Sequence, residues 1–162
     1  MKHQYPPASD GADAQSVTEL VLTVFRLNGA LLQWGDALVA PLGLTSARWQ
    51  MLGAVALGGK SLTAPQIAQA MGVTRQGAQK QLNLLVEQGL LALHPNPAHS
   101  RSPLYALTPQ GVQVYGQADA LWLQQASAMG ARITVAQARA AQSALEAMLS
   151  HLSHASSLEA AS

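Results

Sequence analysis

The sequence of 162 residues predicts a mainly helical protein with one small β-hairpin. Apolar residues recur every three or four positions through most of the chain, which is the spacing of amphipathic helices. This spacing changes only after residue 89, where two short apolar runs flank the segment HPNPAHSRSP. Its three prolines and small polar residues disfavour a helix and are typical of an extended hairpin tip.

A long first helix is predicted from Ser16, which has the capping-box spacing with Glu19, to the Pro41–Gly43 segment. It carries a heptad-like apolar seam formed by Leu20, Val24, Leu27, Leu31, Trp34 and Leu38. Because this surface exceeds what one neighbouring element would cover, we expect the helix to be shared between the domain core and a second subunit. Residues 1–15 are rich in Pro, Ala, Asp and Gly, which is typical of a mobile arm.

A second helix is expected from the Thr45 cap to about Leu57, and residues 62–89 then have the pattern of two short helices joined by a tight turn. Thr63 has the capping-box spacing with Gln66. Gly72 can end the first of these helices in a left-handed conformation. Thr74 can then cap the second, which Gly89 ends.

The second of these helices has two distinct faces. Its apolar side is formed by Ala78, Leu82, Leu85 and Val86. Its polar side is formed by Arg75, Gln76, Gln79, Lys80 and Asn83. These side chains carry the donors and acceptors that pair with base edges in the major groove, although for any single glutamine a solvated surface is the alternative. Caps, turn and polar face together predict a helix-turn-helix.

The hairpin that follows has predicted strands at Leu90–Leu93 and Leu104–Leu107. A hairpin directly after a recognition helix is a wing, and Arg101 near its tip carries its one full positive charge. His94 and His99 are too few for a metal site without cysteines or nearby carboxylates, so we expect no metal and no cofactor.

Two further helices are predicted, one from Thr108 and Pro109 to about Gly130 and one opened by Thr134 and Gln137. We expect them to pack with the first helix as a dimer stalk. The predicted organisation is therefore an arm (1–15), a dimerisation helix (16–43), a winged helix-turn-helix (44–111), C-terminal dimerisation helices (112–154) and a frayed tail (155–162).

The charges are unevenly placed along the chain. Residues 45–111 hold five basic and one acidic residue, a net +4, whereas the rest holds four basic and seven acidic. This distribution is expected if the middle of the chain meets phosphate. Charged residues make up only 10% of the chain and hydrophobic ones 49%, which a large subunit interface would explain.

Several classes of protein are disfavoured. The absence of cysteine excludes disulfides and thiolate metal sites. The start of the chain has no apolar signal region, and the apolar stretch 20–32 is interrupted by Arg26 and Asn28 and is too short to span a membrane, so we expect a cytoplasmic protein. No glycine-rich nucleotide loop, paired carboxylate motif or nucleophile elbow occurs, and we expect no enzymatic activity.

Three stretches, LTSARWQMLGAV, LTAPQIAQAMGVTRQGAQKQLNLLVEQGLL and RSPLYALTPQG, occur in the order helix, helix-turn-helix and wing. In this order they resemble the MarR family of winged-helix transcriptional regulators. The segment LTPQG is similar to the LTxxG motif that follows the wing in this family. The segment QGLL is similar to the GLV motif at the end of the family's helix. Family wings often carry Asp-Arg-Arg where this chain has His99, Ser100 and Arg101. The resemblance implies that Arg101 reaches into the minor groove without the acid that usually steadies it.

The resemblance also implies a homodimeric regulator, most often a repressor, of a pseudo-palindromic operator with half-sites about 10 bp apart. The side chains implied at double-stranded DNA are Thr63, Thr74, Arg75, Gln76, Gln79, Lys80, Asn83 and Arg101. The alternative is a winged-helix adaptor that binds protein and no specific DNA, which the low charge count and the single wing arginine favour.

Family members commonly release DNA when a small aromatic acid binds between stalk and winged domain. The plausible neighbours of such an effector are Trp34, Arg48, Trp49, Met51 and Tyr115. Arg48 is the natural partner for a carboxylate, although it can pair instead with Asp36. Trp34 and Trp49 also lie on apolar stripes, which is typical of core residues.

Overall fold

The computed structural model of the protein describes residues 12–159 and has the predicted mainly helical fold with a small antiparallel sheet. In chain order the elements are α1 (Ala14–Val39), a short 3-10 helix (Ala40–Leu42), α2 (Ser46–Leu57), β1 (Leu62–Thr63), α3 (Ala64–Met71), α4 (Arg75–Glu87), β2 (Leu91–His94), β3 (Leu104–Leu107), α5 (Pro109–Gly130) and α6 (Val135–Glu159). The chain divides after Ala118 into two compact units.

The core of the first unit lies where α2, α3 and α4 pack against one another and against the sheet. Its largest fully buried side chains are Val39, Met51, Leu52, Ile67, Leu82, Leu85 and Leu91. Burying one leucine side chain fully stabilises the fold by about 2 kcal/mol. The apolar face of α4 is buried through Ala78, Leu82 and Leu85, so the opposite face of this helix is fixed towards solvent.

The last turns of α1 pack on the start of α2. Gly35 is buried, and a Cβ atom there would lie 2.7 Å from the hydroxyl oxygen of Ser46. Asp36 accepts a hydrogen bond of 2.6 Å from the backbone N–H of Ser46 through its Oδ1 atom. This carboxylate therefore satisfies a backbone donor at the start of α2, which has no partner within its own helix.

The start of α1 and the end of α6 differ from the positions expected from the sequence. α1 begins at Ala14 because Asp13, and not Ser16, is its N-cap, with Oδ1 accepting from the Ser16 backbone N–H at 2.7 Å. This hydrogen bond lowers the pKa of the Asp13 carboxyl below its ordinary value. The expected arm thus ends before Ala14, and its residues 1–11 lie outside the described part. α6 extends to Glu159, so residues 155–159 of the expected frayed tail are helical, since neither Gly nor Pro interrupts them.

The sheet has one strand more than the predicted hairpin. β1 pairs antiparallel with β3, which places Leu62 opposite Tyr105, and β3 pairs with β2 on its other side. β1 is only two residues long and directly precedes the cap of α3, so it has no alternating pattern to reveal it. It ties the start of the helix-turn-helix to the wing.

In the second unit, the end of α5 is followed by a short connection and then by α6. Gln137 Oε1 accepts from both the backbone N–H and the hydroxyl of Thr134, and Thr134 Oγ1 accepts from the Gln137 N–H. The predicted capping box at the start of α6 is therefore present. No helix within residues 12–159 combines the length and hydropathy needed to cross a membrane.

The wing and α5 meet the end of α4 at a close backbone junction. Thr108 donates its hydroxyl to the carbonyl of Gly89 at 2.6 Å and its backbone N–H to the carbonyl of Leu90 at 3.1 Å. Its Oγ1 also accepts from the Gly111 N–H at 3.0 Å. A Cβ atom on Gly111 would overlap the carbonyl oxygen of Leu90, so only glycine allows this approach.

Gly111→Ala is expected to lower the free energy of unfolding by about 3 kcal/mol, because the added methyl group meets backbone rather than a movable side chain. The matched control is Gly116→Ala in the same helix, where a Cβ atom meets nothing within 4 Å. That variant should gain about 0.5 to 1 kcal/mol from helix propensity. Urea unfolding at one protein concentration measures both, and equal effects of the two substitutions would contradict the role of the junction.

Candidate nucleic-acid interface

The helix-turn-helix is held by the predicted caps. Gln66 Oε1 accepts from the backbone N–H of Thr63 at 2.9 Å and from its hydroxyl at 3.0 Å. Gly72 adopts φ 63°, and the Val73 N–H donates to the Ala68 carbonyl at 3.1 Å. Thr74 Oγ1 then accepts from the Gly77 N–H at 3.0 Å. The turn is therefore closed by a backbone hydrogen bond at the end of α3 and by a side-chain cap at the start of α4.

The polar face of α4 points to solvent along its whole length. The exposed side chains on it are Arg75, Gln76, Gln79, Lys80 and Asn83, and the cap Thr74 beside them is exposed as well. Thr63 at the start of α3 is half-buried, and its hydroxyl is oriented towards Gln66. The structure thus brings the predicted helix residues onto one accessible surface, which we call the α4 polar face.

Two of these side chains already have partners within the protein. Gln79 Nε2 donates to Asn83 Oδ1 at 2.8 Å and to the Tyr105 hydroxyl at 2.8 Å. Tyr105 lies in β3 and is 2% exposed. Sequence reasoning missed this tyrosine, because the partners are 26 residues apart and only the folded wing brings them together.

The wing tip is ordered by an asparagine that sequence reasoning also missed. Asn96 donates its side-chain amide to the Ser102 carbonyl at 2.8 Å, and its Oδ1 accepts from the Ala98 N–H at 3.1 Å. Asn96 thereby bridges the loop that carries exposed Arg101. The Asn-Pro dipeptide at residues 96 and 97 is a turn signal that could have indicated this role.

The five residues expected around an effector lie mostly in packed surroundings. Met51 is 2% exposed within the core, and Trp49 and Tyr115 pack against that core. Arg48 donates its Nε–H to Thr45 Oγ1 at 3.3 Å, and Trp34 is half-buried in α1.

A cavity of about 260 Å³ lies elsewhere in the first unit. Its lining is formed by Leu42, Gly43, Gln88, Leu90, Gln110 and Val114, which includes none of the five expected effector neighbours. Within residues 12–159, no three His, Asp or Glu side chains are grouped closely enough to hold a metal ion.

Comparison with known proteins places this arrangement in a family. The sequence profile of the MarR family matches residues 42–102, from the 3-10 helix to the wing tip. An uncharacterized protein of Mycobacterium tuberculosis, Rv2011c, is 45% identical over 101 residues, which cover 62% of this chain and 69% of that protein. The chain belongs to the MarR family.

Solved structures of transcriptional regulators share the fold at low sequence identity. A mutant MarR from E. coli, crystallised in complex with operator DNA, superposes with a TM-score of 0.71 at 20% identity, over 85% of this chain and 99% of that one. The transcriptional regulator BldR from Sulfolobus solfataricus gives a TM-score of 0.76 at 16% identity, over 87% and 99% of the two chains. The predicted winged-helix fold and family are therefore confirmed.

Proposed function

We propose that this MarR-family protein is a homodimeric transcriptional regulator that binds a pseudo-palindromic DNA operator, most simply as a repressor. The observation that carries the proposal is the α4 polar face. Its position is fixed because the opposite face, with Leu82 and Leu85, is fully buried. Side chains of this composition suit the major groove, and the fold is shared with a MarR mutant that was crystallised with operator DNA.

The charge distribution supports contact with the DNA backbone. Arg75 and Lys80 lie on the α4 polar face, and Arg101 lies on the wing beyond it. The net charge of +4 between residues 45 and 111 makes this segment attractive to the negatively charged phosphates of DNA. Bound dimers would block the access of a polymerase to the same DNA, which is the basis for proposing repression. The two other predictions from the sequence, a cytoplasmic location and no enzymatic activity, are consistent with the proposed role.

The homodimer is supported by exposed apolar side chains on the two terminal helices, each considered by itself. α1 exposes Leu22, Phe25 and Leu27, and Phe25 is 68% exposed. α6 exposes Leu145, Leu149 and Leu152. Contiguous apolar surface of this kind is typical of an interface that a partner subunit covers.

An aromatic-acid effector remains a prediction from the family resemblance. Met51 is buried in the core, and Trp49 and Tyr115 pack against it. We therefore propose DNA binding and dimerisation without naming an effector.

Lys80→Ala is expected to weaken binding to all duplex sequences evenly, because a lysine at this position neutralises phosphate without reading bases. If each subunit uses three phosphates, the slope of log affinity against log salt for the wild type is about −5, and losing one contact per subunit brings it to about −3.5. The matched control is Arg139→Ala on exposed α6, which removes the same charge outside residues 45–111 and should leave the slope unchanged.

The measurement is a fluorescence-anisotropy titration at several salt concentrations, with duplexes first selected from genomic fragments. An unchanged slope for Lys80→Ala would exclude Lys80 from the interface. A wild type that selects no duplex at all would instead favour the protein-binding adaptor.

Phe25→Asp is expected to convert the dimer to a monomer, because it places a charge in the proposed interface while costing the monomer little at a position 68% exposed. The control is Leu57→Asp, since Leu57 is 80% exposed at the end of α2 and lies outside the proposed interface. Sedimentation equilibrium measures the mass of each variant. A dimeric Phe25→Asp variant, or a monomeric wild type, would contradict this assignment of the interface.

A further inference from the structure

The hydrogen bonds of Gln79 restrict what this side chain can offer to DNA. Its amide nitrogen carries two hydrogens, and both are used, one on Asn83 Oδ1 and one on the Tyr105 hydroxyl. Only Gln79 Oε1 remains free as an acceptor. A bidentate contact with adenine requires a donor to N7 together with an acceptor for N6, so the anchored amide cannot make it.

Reversing the amide ends does not restore the bidentate contact. The Tyr105 hydroxyl and the Asn83 amide would then both donate to Gln79 Oε1, which leaves Gln79 with donors only and Asn83 with its carbonyl oxygen. In either state, Gln79 and Asn83 present groups of opposite polarity to the groove. The two side chains lie one helical turn apart and therefore act as a pair.

We propose that Tyr105 is a specificity-determining positioning residue for DNA recognition. Its hydroxyl anchors Gln79, and through Gln79 also Asn83, so that the pair reads bases through one donor and one acceptor on separate side chains. The inference rests on the proposed DNA-binding function. Because Tyr105 belongs to β3, the wing strand sets the orientation of side chains on the recognition helix.

The ring and the hydroxyl of Tyr105 have different surroundings, so a substitution can test the positioning role without disturbing the packing of the core. Tyr105 is 2% exposed, so its ring is a core element, while its hydroxyl reaches the edge of the α4 polar face. Tyr105→Phe keeps the ring and removes only the hydroxyl. Gln79 then keeps only its bond to Asn83, and the amide hydrogen released from Tyr105 can take part, together with Oε1, in the bidentate adenine contact that the anchored state prevents.

The test compares the base preferences of wild type, Tyr105→Phe, Gln79→Ala and the double variant, using binding-site selection from randomised duplexes. Tyr105→Phe should change the preference about fivefold or more at the base pairs that Gln79→Ala also affects. In the Gln79→Ala background it should cause no further change, because the anchored side chain is gone. The control is Thr18→Val in α1, which removes an exposed hydroxyl bonded to the Ala14 carbonyl and should leave all base preferences unaltered.

Three outcomes would overturn the inference. Tyr105→Phe could leave base preferences unchanged, or weaken all sequences equally, which would show a role in packing alone, or act additively with Gln79→Ala, which would show that it does not act through Gln79. A wild type that selects no site would instead refute the proposed function, and the inference with it. Side-chain amide NMR spectra of the DNA-free protein provide a second measurement. Tyr105→Phe should shift the resonances of both Gln79 and Asn83, and unshifted resonances would also overturn the inference.

Discussion

The structure depends on the approach of the Gly111 backbone to the carbonyl of Leu90. At this point the chain leaves the recognition helix, and after the wing it returns to start α5. Thr108 closes the junction by donating to Gly89 and Leu90 and by accepting from Gly111. Since both ends of the wing are joined here, the angle between recognition helix and wing is set by backbone contacts. This gives a physical reason for a Thr and a Gly three residues apart in LTPQG.

Local chemistry made much of the fold predictable. Threonines at positions 45, 63, 74 and 134 cap the helices as expected, because a cap depends on residues only two or three positions away. The buried face of α4 followed from its helical spacing. The start of α1 was not predicted correctly, because two possible caps lie close together and Asp13 caps the helix where Ser16 was expected to do so. β1 could not be foreseen, since two residues form no pattern and only pairing with β3 defines the strand.

The candidate site was predictable as a surface but not as a set of contacts. Helical spacing identified the exposed residues of the α4 polar face, yet it could not reveal that Gln79 is anchored by Tyr105 across 26 residues. Nor did it show that Asn96 orders the wing tip through its bonds to Ser102 and Ala98. The sparse charge fits the proposed function: with few cations to hold a duplex, recognition would rely on polar side chains whose positions are fixed in advance.

In the proposed complex, two copies of α4 and its wing read DNA together. Dimethyl sulfate interference on a selected duplex tests it most directly, because the reagent methylates guanine N7 in the major groove and adenine N3 in the minor groove. Binding by such a dimer should give two blocks of major-groove interference with centres about 10 bp apart, flanked by minor-groove interference where Arg101 enters. A single block, or interference without any groove pattern, would contradict it.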